Sequence, residues 1–134
     1  MKTKCKRVLV AEDNFVLSQV LKFNLERAGY AVEVAANGSA AARRLAAEPF
    51  DLLITDYQMP QMNGDELCRV ARHDLGLSGM PIVLCSAKGL EIDVEGMLAE
   101  YDITQLFFKP FSMKEIVSLV DAVLGTSVAV AQGA

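Results

Sequence analysis

The sequence has few cysteines, no long basic run and no long apolar segment, and each of these shortages excludes a class of protein. Its three cysteines, Cys5, Cys68 and Cys85, are odd in number and widely spaced, which fits neither a disulfide framework nor a zinc site. With 13 basic residues against 17 acidic ones, the net charge is −4, and we expect no nucleic-acid binding by this chain itself. No apolar run reaches the ~18 residues of a membrane span, so we expect no membrane partner.

The length and composition are those of one globular domain. The chain has 134 residues, of which 52% are apolar and 22% charged, and this composition excludes a disordered chain. A domain of this size buries roughly two-thirds of its unfolded surface and needs no disulfide or metal to fold. The basic N-terminus, residues 1–7, is followed only by a four-residue apolar run. That run is too short for a signal peptide, so we expect a cytoplasmic protein.

Five short apolar runs alternate with helix-length segments along the chain. The runs are mostly β-branched or aromatic and are bounded by polar or turn residues, which is typical of strands buried on both faces. They cover residues 8–11, 31–35, 52–55, 82–85 and 106–108. Five strand–helix units in succession predict an α/β fold, with a parallel sheet that carries helices on both faces.

Spacing and composition predict the helices between these strands. In the first helix, before a stop at Gly29, residues recur at approximate i, i+3, i+4 spacing: Phe15, Leu17, Val20, Leu21, Asn24 and Leu25. Residues 40–47 are alanine-rich and predict the second helix. Residues 90–100 predict a weaker fourth helix, because Gly96 interrupts it.

Capping sequences mark the third and fifth helices and the end of the domain. The two helix starts are Asn63 with Glu66, and Ser112 with Glu115. Gly125 ends the fifth helix. We therefore expect one domain over residues 1–124 and a flexible tail over residues 125–134, which carries no charge. The tail is either a frayed end or the start of a linker, so the chain either stands alone or is a fragment of a longer protein.

Chemically active side chains follow four of the five predicted strands. In parallel sheets, ligands bind at the carboxyl ends of the strands, and these ends meet at one edge. Taken alone, each of these residues is more often a loop, cap or surface residue. Together they mark a site, because four strand ends contribute to it: Glu12 and Asp13, then Asp56, Ser86 and Lys109.

Three carboxylates at one edge repel one another, so the site needs a cation or raised pKa values. Two unit charges about 5 Å apart cost about 3 kcal/mol at an effective dielectric of 20. Oxygen ligands without a full cage favour Mg²⁺. Lys109 adds a point charge for a phosphoryl oxygen, and Ser86 adds a hydroxyl. A metal, an ammonium and a hydroxyl around a carboxylate nucleophile predict a phosphoryl-acceptor site.

These motifs resemble the receiver domains of two-component response regulators, the CheY-like family. The resemblance covers about residues 6–124 and rests on Glu12-Asp13, on residues 56–64 (Asp-Tyr-Gln-Met-Pro-Gln-Met-Asn-Gly), on Ser86-Ala87 and on Lys109-Pro110-Phe111. It implies a flavodoxin-like (βα)5 sandwich whose five-stranded parallel sheet has the order 2-1-3-4-5. It also implies a role in phosphorelay signalling.

The resemblance implies an acceptor and a metal site. Asp56 would accept a phosphoryl group from the phosphohistidine of a sensor histidine kinase or histidine phosphotransfer protein, and a protein target would read the switch. Mg²⁺ would be held by Asp13, by Asp56 and by the backbone carbonyl of Gln58. Glu12 would reach the metal through water. Such a domain is no enzyme, beyond catalysing its own phosphorylation and dephosphorylation.

The remaining site residues would act on the phosphoryl group. Ser86 would bind one of its oxygens after the switch, and Lys109 would pair first with Asp56 and then with the phosphoryl group. Ala87 is small, as in the family, and leaves the next backbone N–H accessible. The Lys109–Pro110 bond is expected to be cis.

The chain departs from the family three residues before the lysine, where Leu106 replaces the usual tyrosine or phenylalanine. Phe107 and Phe108 follow, but successive strand residues point to opposite faces and their register with Lys109 is fixed. The usual coupling of hydroxyl and aromatic ring is therefore in question here, whereas the chemistry of Asp56 is unaffected.

Three other functions fit parts of the pattern. An aspartate-nucleophile phosphatase would place its nucleophile after the first strand in an Asp-x-Asp motif, where this chain has Glu12-Asp13-Asn14. A mononucleotide-binding fold would need a glycine-rich turn there, but the first glycine is Gly29. A receiver-shaped module that is never phosphorylated would not need the complete acidic set. A receiver that is part of a hybrid kinase or longer regulator remains open.

Overall fold

The computed structural model describes residues 5–87 and 94–125 of the chain. Within them, five strands alternate with five α-helices, and a π-helix continues the third helix. The elements in chain order are β1 (Arg7–Ala11), α1 (Phe15–Arg27), β2 (Ala31–Ala35), α2 (Gly38–Ala47), β3 (Leu52–Asp56), α3 (Gly64–Arg69), the π-helix (Val70–Asp74), β4 (Ile82–Ala87), α4 (Val94–Tyr101), β5 (Gln105–Lys109) and α5 (Met113–Leu124).

The strands form one parallel sheet in the order β2-β1-β3-β4-β5. In β1, Val8 pairs with Val32 of β2 on one side and with Leu52 of β3 on the other. This topology confirms the predicted flavodoxin-like order 2-1-3-4-5. It also brings the carboxyl ends of all five strands to the same edge of the sheet.

Two hydrophobic layers cover the two faces of the sheet. Along β1, Leu9 and Ala11 pack into the layer that contains α2, α3 and α4, whereas Val8 and Val10 pack into the layer with α1 and α5. This alternation follows from the two-residue period of a strand. The central strands β1, β3 and β4 are therefore almost continuously buried, as their apolar runs predict.

The prediction of burial on both faces is wrong for the two edge strands. In β5, Gln105 and Phe108 are exposed and the other three residues are only half-buried. In β2, Ala31 is exposed. An edge strand has a neighbour on one side only, so the helices of each layer cover it incompletely.

Helix α1 lies where its spacing predicts, but it buries only part of the predicted set of residues. Phe15 and Val20 are 74% and 39% exposed, whereas the buried residues are Ser18, Leu21 and Leu25. The Ser18 hydroxyl donates to the carbonyl of Phe15 at 2.8 Å, and this bond allows a polar side chain on the buried face. The spacing of apolar residues alone could not reveal that a serine occupies a buried position of α1.

The capping predictions hold at the described helix ends. The Ser112 hydroxyl accepts from the N–H of Glu115 at 3.3 Å, and the N–H of Asn63 donates to Glu66 Oε1 at 3.2 Å. Gly125 ends α5 in the left-handed conformation. Of the predicted fourth helix, residues 90–93 lie outside the described residues, and so do residues 126–134 of the predicted tail. The boundary at residue 124 therefore stays a prediction.

Candidate functional site

The carboxyl edge of the sheet gathers the residues that the strand ends predict. Glu12 and Asp13 follow β1, and Asp56 is the last residue of β3. One carboxylate oxygen from each of these three residues lies within 4.8 Å of the others. Glu12 and Asp56 are buried, whereas Asp13 is exposed, so the cluster opens to solvent on the side of Asp13.

Lys109, the last residue of β5, joins this cluster directly. Its Nζ lies 3.1 Å from Asp56 Oδ1 and 3.3 Å from Glu12 Oε1. The other oxygen of Glu12 accepts from the N–H of Asn14 at 3.1 Å. Among the described residues, one ammonium thus contacts two of three carboxylates, and these four side chains together carry an excess of negative charge.

Burial sets the ionisation of the site. It raises the pKa of Asp56, an effect that the hydrogen bond and charge of Lys109 oppose and that the Asp13 charge reinforces. Burial also raises the pKa of Glu12. For Lys109, burial lowers the pKa, but the adjacent carboxylates of Asp56 and Glu12 outweigh it, and the net shift is upward. The ammonium of Lys109 is therefore firmly charged near neutral pH, while the two buried carboxylates hold their charge at a cost.

The loop after Asp56 is approached closely by backbone at two glycines. A Cβ atom on Gly64 would lie 2.5 Å from the carbonyl oxygen of Asp56, and a Cβ on Gly38 would lie 2.0 Å from that of Met62. Between these contacts, Gln61 has a φ of 72°. Glycine at position 38 was not singled out from the sequence, because its neighbour in space, Met62, is 24 residues away along the chain.

Beside the carboxylates, the loop opens a polar cavity of about 350 Å³. It is lined by Asp13, Gln58, Met59, Pro60 and Asn63. A second, apolar cavity of about 410 Å³ is lined by Leu17, Lys109, Pro110 and Phe111. Two members of the charged cluster therefore border openings: Asp13 lines the polar cavity and Lys109 lines the apolar one.

Ser86 and Leu106 lie on the strands that flank this edge. Ser86 is buried, and its hydroxyl donates to the carbonyl of Ala87 at 3.3 Å, a long bond. Leu106 is half-buried against the layer of α2, α3 and α4, whereas Phe107 packs on the opposite face. Phe108 therefore shares the face of Leu106, is 45% exposed and pairs in register with Ser86. This neighbour of Ser86 was not identified from the sequence.

The Lys109–Pro110 peptide bond is cis, as the resemblance implied. His73 is exposed and lies against the ring of Tyr101, at 5.7 Å between centroids. Within residues 5–87 and 94–125, no helix is both long enough and apolar enough to cross a bilayer.

The chain belongs to the family described as the response regulator receiver domain, whose sequence pattern matches residues 8–121. The response regulator receiver protein CpdR of Brucella abortus is 39% identical over 120 residues, covering 89% of this chain and 97% of the relative. The phosphate regulon transcriptional regulatory protein PhoB of Rhizobium meliloti is 36% identical over 119 residues, covering 88% of this chain. The match covers only 52% of that relative, so the chain spans about half its length.

Solved structures show the same fold. The chemotaxis response regulator CheY4 of Vibrio cholerae superimposes with a TM-score of 0.80 at 26% identity, covering 90% of this chain and 99% of that one. The receiver domain of a sensor histidine kinase from Pseudomonas aeruginosa has a TM-score of 0.78 at 26% identity, covering 92% and 100%. That structure has a magnesium ion coordinated in its active-site cleft. The chain is thus a signalling phosphoacceptor domain.

Proposed function

We propose that Asp56 accepts a phosphoryl group from the phosphohistidine of a histidine kinase or histidine phosphotransfer protein. The observation that carries this proposal is the position of the Asp56 carboxylate, 3.1 Å from the Lys109 ammonium and grouped with Glu12 and Asp13. In the transfer, an Asp56 oxygen attacks phosphorus and the phosphorus–nitrogen bond breaks. Its electron pair stays on the departing imidazole, which takes up a proton.

The acidic residues fit a magnesium ion by their chemistry. Three carboxylates offer only hard oxygen donors, and one ammonium leaves part of their charge unbalanced. We propose that Asp13, Asp56 and the carbonyl of Gln58 hold the ion, with Glu12 acting through water. A bound Mg²⁺ would supply positive charge against the oxygens of the incoming phosphoryl group. The exposed side of Asp13 gives access from solvent.

Lys109, Ser86 and Ala87 complete the proposed site. The charged Lys109 orients the unmodified Asp56 and can then turn to a phosphoryl oxygen without leaving the edge of the sheet. The long bond from Ser86 to the carbonyl of Ala87 is weak enough to be exchanged for one to a phosphoryl oxygen. The side chain of Ala87 is small and exposed, so it leaves the approach to the site open. The same groups would support the domain's own dephosphorylation.

The partners that follow from this function are proteins. The net charge of −4 and the lack of a basic run argue against direct nucleic-acid binding, although some relatives of about twice the matched length are described as DNA-binding regulators. We propose that a protein target reads the phosphorylated state. We also propose a cytoplasmic location, which suits free thiols at Cys68 and Cys85.

Mass spectrometry after incubation with acetyl phosphate and Mg²⁺ tests the acceptor. The parent protein should gain the mass of one phosphoryl group, and Asp56→Asn should gain none. Asp74→Asn is the matched control, because Asp74 is an exposed carboxylate whose ion pair with Arg69 is long, at 3.5 Å. Uptake by Asp56→Asn at the rate of the parent would show that another residue is the acceptor. Loss of the added mass with time measures dephosphorylation.

A further inference from the structure

Arg72 binds four backbone carbonyls that belong to two separate segments of the chain. From its place in the π-helix, its guanidinium donates to Tyr101 at 2.7 Å and to Asp102 at 3.0 Å. It also donates to Met80 at 2.6 Å and to Leu77. The group thus ties the connection before β4 to the turn after α4.

The contact with Tyr101 completes the C-terminal end of α4. The last carbonyls of a helix have no partner within it and carry a partial negative charge. Helix α4 ends at Tyr101 and has no basic residue in its last turn. Arg72 supplies both the donors and the positive charge from outside the helix.

The π-helix folds the following connection back toward Arg72. The N–H of Leu75 donates to Val70 at 2.9 Å, and that of Leu77 donates to Ala71 at 2.8 Å. These bonds hold the start of the connection against the helix, where its carbonyl at Leu77 meets the guanidinium. Arg72 is therefore fixed on both sides, and α4 is fixed to it.

The C-terminal end of α4, which Arg72 binds, is the end far from the acidic cluster. In a parallel sheet, each connecting helix runs opposite to the strands, so α4 begins near the carboxyl edge and ends near the amino end of β5. Beyond Arg72, the turn is closed by the N–H of Ile103, which donates to Leu98 at 3.1 Å. The C-terminal end of α4 is thus held by Arg72 and by this closing bond.

We propose that Arg72 makes the C-terminal end of α4 a fixed point, so that any response of α4 to phosphorylation is confined to its first turns. This proposal rests on the proposed function of Asp56. Arg72 is a positioning residue here, since it acts on the helix and does not reach the reacting atoms. The planar guanidinium spans carbonyls on both segments, which a lysine ammonium could not do.

Amide hydrogen exchange of the whole chain tests the proposal in two stages, with Arg72→Lys compared with Arg69→Lys. Arg69 is the matched control, because it lies three residues away and its side chain pairs at the surface with Asp74, at 3.5 Å. Without any phosphoryl mimic, Arg72→Lys should speed exchange at Ile103 about tenfold, and Arg69→Lys should leave it unchanged. Equal exchange rates at Ile103 in both variants and the parent would show that Arg72 does not fix the C-terminal end of α4.

The second stage adds beryllofluoride, a phosphoryl mimic, with Mg²⁺. In the parent, the change in amide exchange rate that the mimic causes at residues 101–103 should stay below about a third of the change at residues 95–97. In Arg72→Lys, the exchange rates of the two regions should change to the same extent. Equal changes in the parent would overturn the proposal. If the mimic changes the exchange rate of no amide around Asp56, the proposed function is refuted instead. The first stage would still test whether Arg72 fixes the C-terminal end of α4. If Arg72→Lys does not fold, the exchange changes of the parent alone test the proposal. Smaller changes at residues 101–103 than at residues 95–97 support it, and equal changes overturn it.

Discussion

Asp56 illustrates how single residues set the chemistry of this site. Its carboxylate is buried beside two others, so its ionised form is costly, and burial raises its pKa. Lys109 offsets part of this cost at 3.1 Å. A nucleophile must nevertheless be ionised to attack phosphorus. In the proposed role of Asp56 as nucleophile, Lys109 therefore favours the reactive, ionised form against burial, and further positive charge would favour it more.

Gly38 is a second residue whose role follows from the structure alone. A Cβ atom there would lie 2.0 Å from the carbonyl oxygen of Met62, which is backbone and cannot turn aside. Because Met62 belongs to the loop that carries Gln58, a methyl group at position 38 would displace one wall of the site.

Gly38→Ala should therefore lower the free energy of unfolding by about 2 kcal/mol, in the range of overpacking costs, and slow phosphorylation by acetyl phosphate. Chemical denaturation and the mass-spectrometric assay measure the two effects. Gly79→Ala is the control, because a Cβ there meets nothing within 4 Å. Equal stability of Gly38→Ala and the parent would mean that the two loops separate easily.

At the scale of elements, β5 is an edge strand, and it carries Leu106 where the family usually has an aromatic residue. Leu106 is half-buried against the α2–α4 layer, so its burial contributes less than the about 2 kcal/mol of a fully buried leucine, and we expect that contribution to be similar in both states of the site. A side chain with equal energy in two states shifts no equilibrium. The exposed Phe108 is the aromatic side chain on the same face of β5, next to Ser86 in register.

Backbone chemical shifts with and without beryllofluoride should therefore change most near Gln58 and Ala87, in the loops after β3 and β4. Leu106 and α5 should respond weakly, since we expect the energy of Leu106 to differ little between the two states. Changes at Leu106 and α5 as large as those at Ser86 would contradict this expectation. Repeating the measurement with Phe108→Leu would then show whether Phe108 has taken the aromatic role.

The elements themselves were largely predictable from the sequence, because their signals are local. Strand runs, the Ser112 cap and the stop at Gly125 each depend on neighbours within a few residues. On the buried face of α1, Leu21 and Leu25 were predictable but Ser18 was not, since Ser18 takes an apolar position by bonding to its own helix. The contacts of Arg72 join segments about 30 residues apart, and no short-range pattern encodes them.

For the whole molecule, the acidic cluster at the carboxyl edge of the sheet lowers the stability of the fold. The two packed layers hold Glu12, Asp13 and Asp56 together despite their repulsion, so the fold carries a local cost that a cation would remove. The site was predictable from the sequence for the same global reason, because parallel topology alone brings the strand ends together. Distances and burial, by contrast, required the structure.

Mg²⁺ should accordingly raise the melting temperature of the whole domain. At ten times its dissociation constant, a ligand contributes about 1.4 kcal/mol, which is a shift of a few degrees for a domain of this size. Asp13→Asn should be more stable than the parent without metal, because one repelling charge is removed, and should lose most of the shift. Asp65→Asn, outside the acidic cluster, should behave like the parent. An unchanged shift in Asp13→Asn would exclude Asp13 as a ligand.

The distribution of thiols gives the molecule a ready attachment point for a reporter dye. Burial raises the pKa of Cys68 and Cys85 to about 12, whereas Cys5 is exposed just before β1. Since the thiolate is the reactive form, a maleimide fluorophore should couple to Cys5 alone in the folded protein. The length of β1 places this thiol about 20 Å from the acidic cluster, at the opposite edge of the sheet. Binding and anisotropy measurements can therefore be made on the natural sequence, with no cysteine added and none removed.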